Sequence, residues 1–126
     1  MCKILLSINP QHVENIFNGT KKYEYRKTKC KNKVNKIVIY STSPVMRVVG
    51  EADVEEVLED SPNNIWERTK EYSGVEYKFF DKYFEGKERA IAYKLSNIKR
   101  YRKTKPLEFY GIDFAPQSFV YLEETY

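Results

Sequence analysis

The segment Gly19-Thr20-Lys21-Lys22-Tyr23-Glu24-Tyr25-Arg26 gathers the residue types that could do chemistry. Its glycine closes a helix and a strand begins at once, so the side chains that follow alternate between two faces. Lys22, Glu24 and Arg26 share one face, and Tyr23 and Tyr25 share the other. A carboxylate between two cations fixes all three side chains. On the wall of a cleft, Arg26 could fork onto a phosphate or a base edge, while Glu24 could accept a proton or orient a water. On an open surface the same row is a charge ladder contributing well under about 1 kcal/mol per pair. Lys21 joins Glu24 and Arg26 only from a turn ahead of the strand, because strand parity would point it away.

A few other residues offer chemistry. Ser7, Ser41, Thr42 and Ser43 stand at expected strand ends, where they could donate hydrogen bonds to a ligand or serve only their own turns. Trp66, on an inserted helix, could stack on a base or pack against the sheet. His12, the sole histidine, falls in the first turn of a helix without a visible Asp or Cys partner and reads as structural or surface. The two cysteines, Cys2 and Cys30, lack zinc-site spacing, so neither a metal site nor a cofactor is expected. No nucleophile elbow, P-loop or Rossmann glycine pattern is present.

The elements that must position these residues are short. Residues 3–8 read as a strand of branched apolar residues. Asn9-Pro10 then supplies a cap and a first-turn proline for a helix with Val13, Ile16 and Phe17 on one face. Strands are expected over residues 22–27, 36–41 and 47–58, the last bent or bulged at Gly50. Ser61-Pro62 opens a helix to about residue 72, and a second spans roughly 76–85. The aromatic stripe of that second helix, Phe79, Phe80, Tyr83 and Phe84, reads as core. A strand over residues 88–97, extending toward Tyr101, a helical turn over 106–111 and a strand over 118–123 complete the chain. Six strands with short inserted helices predict an α+β fold, a small mixed sheet curled into a barrel, as one domain spanning residues 1–126.

The net charge of +4 is unevenly spread. Lys21, Lys22, Arg26, Lys27, Lys29, Lys31, Lys33 and Lys36 crowd one stretch, and Lys99, Arg100, Arg102, Lys103 and Lys105 form a second. An acidic stretch, Glu51, Asp53, Glu55, Glu56, Glu59 and Asp60, lies between them. Basic segments that met in space would form a phosphate-attracting patch; apart, they are solvated loops and edge-strand lysines. Tyrosine supplies 11 residues, enough for half-exposed stacking surfaces or for outer strand positions. No segment approaches transmembrane length or a signal-peptide core. A cytoplasmic protein, with no membrane partner, is expected.

The spacing Gly19-x-Lys21-x-x-Glu24-x-Arg26 resembles the signature of ASCH domains in the PUA-like superfamily, and it follows the first strand and helix as in that family. Leu6-Ser7-Ile8-Asn9-Pro10 is similar to the family's opening strand and turn. Tyr40-Ser41-Thr42-Ser43-Pro44 is similar to its third-strand exit, and Val49-Gly50-Glu51-Ala52 to its fourth strand. The resemblance implies a PUA-like barrel with a cleft beside the first helix that binds RNA or a modified nucleotide. Lys21, Lys22, Glu24, Arg26, Ser7, Tyr40, Ser41, Ser43 and Trp66 are its candidate binding residues. An alternative is a metal-free hydrolase of acylated nucleosides or RNA using Lys21 and Glu24. The amidohydrolase-like members have threonine where this chain has Glu24, a departure close to that chemistry. A regulator acting through a protein partner, with residues 65–84 as its contact surface, is a third reading, and the oligomeric state is open.

Overall fold

A computed structural model describes residues 2–122. The first strand, β1 (Cys2–Ile8), leads into helix α1 (Pro10–Phe17), then β2 (Tyr23–Arg26), β3 (Val34–Ser41) and β4 (Arg47–Asp60). Helix α2 (Pro62–Thr69), a 3-10 turn (Lys70–Tyr72) and helix α3 (Tyr77–Tyr83) follow, before β5 (Ala90–Lys105), a 3-10 turn (Leu107–Tyr110) and β6 (Phe119–Leu122). Of the strand expected over 118–123, Glu123 lies outside the described residues.

The six strands form one mixed sheet in the order β2-β5-β4-β3-β1-β6, with β1 and β3 parallel and the other pairs antiparallel. The unbroken run Ile4-Leu5-Leu6 follows from cover on both faces of the sheet. Ile4, Leu6 and Ile8 pack with Val13 and Ile16 of α1, Ile37 and Ile39 of β3, and Ile91, Tyr93 and Leu95 of β5. On the opposite face Leu5 meets Val38, Tyr40, Val48 and Tyr110. Helix α1 starts where Asn9 caps the Gln11 backbone N–H at 2.8 Å and Pro10 takes the first position.

Gly50 sits at a register shift on both sides of β4. A Cβ there would run into the Lys99 carbonyl oxygen and lie 2.7 Å from the Phe17 ring, so glycine is needed for the close approach of β5 and α1. The expected bulge is present, and the sheet bends at it.

The sheet is open by hydrogen bonding, since no ladder joins β2 to β1 or β6 among the described residues; of the curled barrel expected from the sequence, the mixed six-stranded sheet is present without a closing ladder. It is nevertheless strongly curled. Strands β2 and β1 are four steps apart, about 19 Å in a flat sheet at ~4.8 Å per strand. Yet the Arg26 guanidinium donates to the Ser7 carbonyl at 2.9 Å. A side chain spans the seam that a backbone ladder would close.

The acidic stretch is β4, which runs between β3 and β5. Its carboxylates take cations from both flanks: Lys36 meets Glu51 at 2.8 Å, Lys29 meets Glu59 at 3.2 Å and Lys94 meets Glu55 at 3.0 Å. The basic residues 29–36 are therefore parted from those of β5 by an acidic strand, whereas β2, with Arg26, pairs with β5 at residues 91–94.

Candidate functional site

Lys21 lies ahead of β2, as its membership of the constellation requires. Its backbone N–H donates to the Asn15 carbonyl at the end of α1, and it forms an isolated bridge with Ser73. This turn throws the side chain inward, where only 2% of the residue is exposed. The ammonium donates to the Ser73 carbonyl at 3.0 Å, lies 3.8 Å from Glu24 Oε1 and sits 4.7 Å over the Tyr25 ring.

Strand β2 supplies the rest of the floor. Glu24 is buried, and its Oε2 accepts from Arg26 Nη2 at 2.8 Å. The same nitrogen donates to Ser7, so Arg26 holds both the carboxylate and the far edge of the seam. Tyr25, on the other face of β2, is fixed by its hydroxyl against Thr69 at 2.7 Å and packs on Phe80 and Phe84. Burial pushes the Tyr25 hydroxyl up to about 12. Burial also lowers the Lys21 ammonium below its ordinary value, and Glu24 pulls it back. One carboxylate thus stands between a buried lysine and a part-buried arginine.

These groups line a cleft of about 260 Å³ with Ser7, Ile8, Asn9, His12, Phe79 and Tyr83. Helix α3 divides its aromatic stripe. Phe80 and Phe84 enter the core, whereas Phe79, 50% exposed, and Tyr83 stack on each other at 6.3 Å on the cleft side. His12 meets the Phe79 ring edge-on at 5.2 Å. The expectation that the whole stripe is core is corrected at Phe79, and His12, read as structural or surface, lines the cleft. Four aromatics at positions 79, 80, 83 and 84 cover two faces of a short helix, which was the sequence signal for a second role. His12 gave no such signal, because its neighbours in the cleft are remote in sequence.

Several predicted residues stand elsewhere. Lys22 is exposed, with its ammonium 4.1 Å over the Tyr72 ring, because its backbone is held between the Tyr72 carbonyl and the Leu95 N–H before β2 begins. Ser7 reaches the cleft, but its hydroxyl donates to the Pro116 carbonyl at 2.7 Å, and its contribution to the site is the carbonyl that Arg26 holds. Tyr40 faces the opposite core, Ser41 is buried at the end of β3, and Ser43 is exposed in the turn beyond it. Trp66 packs between Tyr77 and Phe80. A roomier hollow of about 510 Å³ is lined by residues 29–34, Glu55–Val57 and Tyr93. Its lysines are exposed loop residues facing two glutamates, so water screens them in a way it does not screen Lys21 or Arg26.

Lys21 is held by the loop between the 3-10 turn and α3. Gly74 has φ +68, and a Cβ there would strike Lys21 Cβ and lie 2.7 Å from its Cγ. Gly74→Ala is expected to lose more than about 1 kcal/mol from the left-handed backbone alone and to displace Lys21 as well. Gly86→Ala is the control, since Gly86 has φ +77 with nothing within 4 Å. Urea unfolding of both variants measures the difference, and equal losses would show that Gly74 does not clamp Lys21.

Residues 2–113 match the family described as Domain of unknown function (DUF365). An ASCH domain-containing ribonuclease of Zymomonas mobilis is 30% identical over 127 residues, covering 96% of this chain and 86% of that protein. The crystal structure of ASCH from Zymomonas mobilis superposes with a TM-score of 0.88 at 26% identity, over 98% of this chain and 89% of that one. A large ribosomal subunit protein uL22 of Ureaplasma parvum is 34% identical over 121 residues, 95% of this chain. The chain spans only 39% of that protein's length. With the signature residues assembled on one cleft and the fold shared along nearly its whole length, the chain belongs to the ASCH domain family and matches DUF365.

Proposed function

We propose that the cleft between α1, β2 and α3 binds single-stranded RNA and cleaves it. The observation that carries this reading is the buried floor, in which Glu24 balances only one of the two cations Lys21 and Arg26. Cations in a low-dielectric floor attract a phosphodiester more strongly than surface lysines do. Phe79, half-exposed on the wall, offers a face for a base. A volume of about 260 Å³ suits one nucleotide unit at a time and excludes a duplex. The 30% identity to a protein named as a ribonuclease supports RNA as the substrate class.

In this reading Arg26, which lines the cleft, touches the phosphate through its guanidinium. Lys21, enclosed by Ser73 and Tyr25, acts through its field on charge developing at phosphorus. The reaction fitting such a site is attack of the ribose 2′-hydroxyl on the adjacent phosphorus. The O2′–P bond forms and the P–O5′ bond breaks, leaving a 2′,3′-cyclic phosphate and a 5′-hydroxyl. Cys2 and Cys30 are free thiols, in keeping with work in a reducing cytoplasm.

The test is titration of labelled RNA and DNA oligonucleotides against wild type and Arg26→Ala at two salt concentrations, with cleavage followed in parallel. Arg26→Ala is expected to weaken RNA binding by roughly tenfold or more. It should also flatten the salt dependence by about 0.7, the share of one phosphate contact on a single strand. Equal affinity for DNA and RNA, or binding indifferent to Arg26→Ala, would overturn the reading.

A further inference from the structure

We propose that His12 is the proton acceptor of this cleft, taking the proton of the attacking hydroxyl; the inference rests on the RNA-cleavage reading above and adds to it a residue the signature does not contain. His12 is the third residue of α1, after the Asn9 cap, Pro10 and Gln11. Side chains tilt toward a helix's N-terminus, which here carries the imidazole over the cleft floor.

Two buried side-chain polar atoms among the described residues have no hydrogen-bond partner: His12 Nδ1 and Arg26 Nε. Both belong to residues lining the same cleft. Buried polar atoms are satisfied almost everywhere in folded proteins. A ligand in that cleft therefore meets a guanidinium that donates and an imidazole that can accept. A phosphate oxygen for Arg26 and a neighbouring ribose hydroxyl for His12 suit that pair.

The surroundings keep the imidazole ready to accept. Lys21 faces it from the turn after α1, Glu24 and Arg26 from β2, and Tyr83 and Phe79 from α3. Burial lowers the pKa of His12, the Lys21 and Arg26 charges lower it further, and Glu24 opposes them. The ring is therefore neutral at neutral pH. Phe79 fixes its plane through the edge contact at 5.2 Å. Glu24, the acceptor that the sequence suggested, is committed to Arg26 at 2.8 Å and Lys21 at 3.8 Å. In the step, the 2′-hydroxyl gives its proton to the imidazole as O2′ bonds to phosphorus. The departing 5′-oxygen takes a proton from water, and the imidazolium later releases its own to solvent.

Because His12 is the sole histidine, its imidazole nitrogens can be observed by NMR in the intact protein without assignment by mutation. Saturation with a 2′-O-methyl RNA hexamer, which cannot be cleaved by this route, is expected to shift the His12 nitrogen resonances. Inorganic phosphate is the smaller probe and should raise the pH at which the ring titrates. Single-turnover cleavage by His12→Gln is expected to fall by ~100-fold or more and to lose the acidic inflection of its pH profile, with RNA affinity within about threefold of wild type as a hydrogen-bonding group is kept. A His12→Gln rate and profile matching wild type would overturn the role of His12 while leaving RNA cleavage standing. Wild-type protein that binds RNA and leaves it uncut would overturn both. Should His12→Gln fail to fold, the wild-type NMR titration decides, and unmoved His12 nitrogens in the saturated complex would refute the proposal.

Discussion

Glu24→Gln is expected to destabilise the protein by about 3–5 kcal/mol, the range for removing one partner from a buried charge pair. The change keeps the side chain's shape and removes its charge. Lys21, with 2% of its side chain exposed, and Arg26, with 13%, are then left as neighbouring cations out of water with no counter-charge. Lys21 responds by deprotonating, since Glu24 is what opposes the lowering of its pKa by burial. The sign follows from linkage. A lysine whose folded pKa lies below its unfolded value penalises folding at neutral pH, and the penalty fades as pH rises through that interval. The variant should therefore recover part of its lost stability as pH is raised toward the ordinary lysine range. Chemical unfolding at several pH values measures this. A loss below about 1 kcal/mol would mean that the three groups are solvated and the floor is not the low-dielectric site described above.

Lys21→Met is expected to do the opposite to stability while removing function. With Lys21 gone, Glu24 and Arg26 remain as a balanced pair at 2.8 Å, and an apolar chain of similar volume replaces a desolvated ammonium. Such replacements are commonly neutral or stabilising. The losses are the hydrogen bond to the Ser73 carbonyl, the ion pair with Glu24 at 3.8 Å and the contact over the Tyr25 ring. RNA cleavage should fall by about 100- to 1,000-fold, as when one electrostatic stabiliser is removed from a preorganised site. A fall in melting temperature together with unchanged cleavage would refute the assignment, making Lys21 a structural post. In the double variant with Glu24→Gln, the two stability effects should be far from additive, because both residues share one network.

How far the sequence reached can be seen at particular residues. The caps at Asn9 and Ser61, the prolines after them and the glycines at helix ends act locally, so both helix starts and all six strands were legible. The requirement that Lys21 lie in a turn was also legible, because parity along a strand is a local rule. Lys22 was misplaced because the same rule was applied one residue too early; the Tyr72 carbonyl that captures its N–H lies in an insertion fifty residues away. Barrel closure could not be read, since the pairing of β2 with an edge depends on how far the whole sheet curls. Trp66 followed its packing alternative. His12 and Phe79 were not read as cleft-lining residues because they come together only where α1 and α3 meet, a contact with no local signature.

The final pair between β4 and β5 is Asp60 with Ala90, opposite each other in an antiparallel ladder. Everything from residue 61 to 89 is thus the loop of one hairpin, enlarged to hold two helices. The ladder fixes its two ends whatever lies between them, and the entropy of closing a longer or shorter loop changes only slowly with length. Yet this loop brings Ser73 and Gly74 onto Lys21, and Phe79 and Tyr83 onto the cleft wall. The charged floor is built from β2 and the turn before it, while Phe79 and Tyr83 of the cleft wall come from this loop. A change confined to residues 61–89 would alter the wall and the hold on Lys21 while leaving the Glu24–Arg26 pair in place.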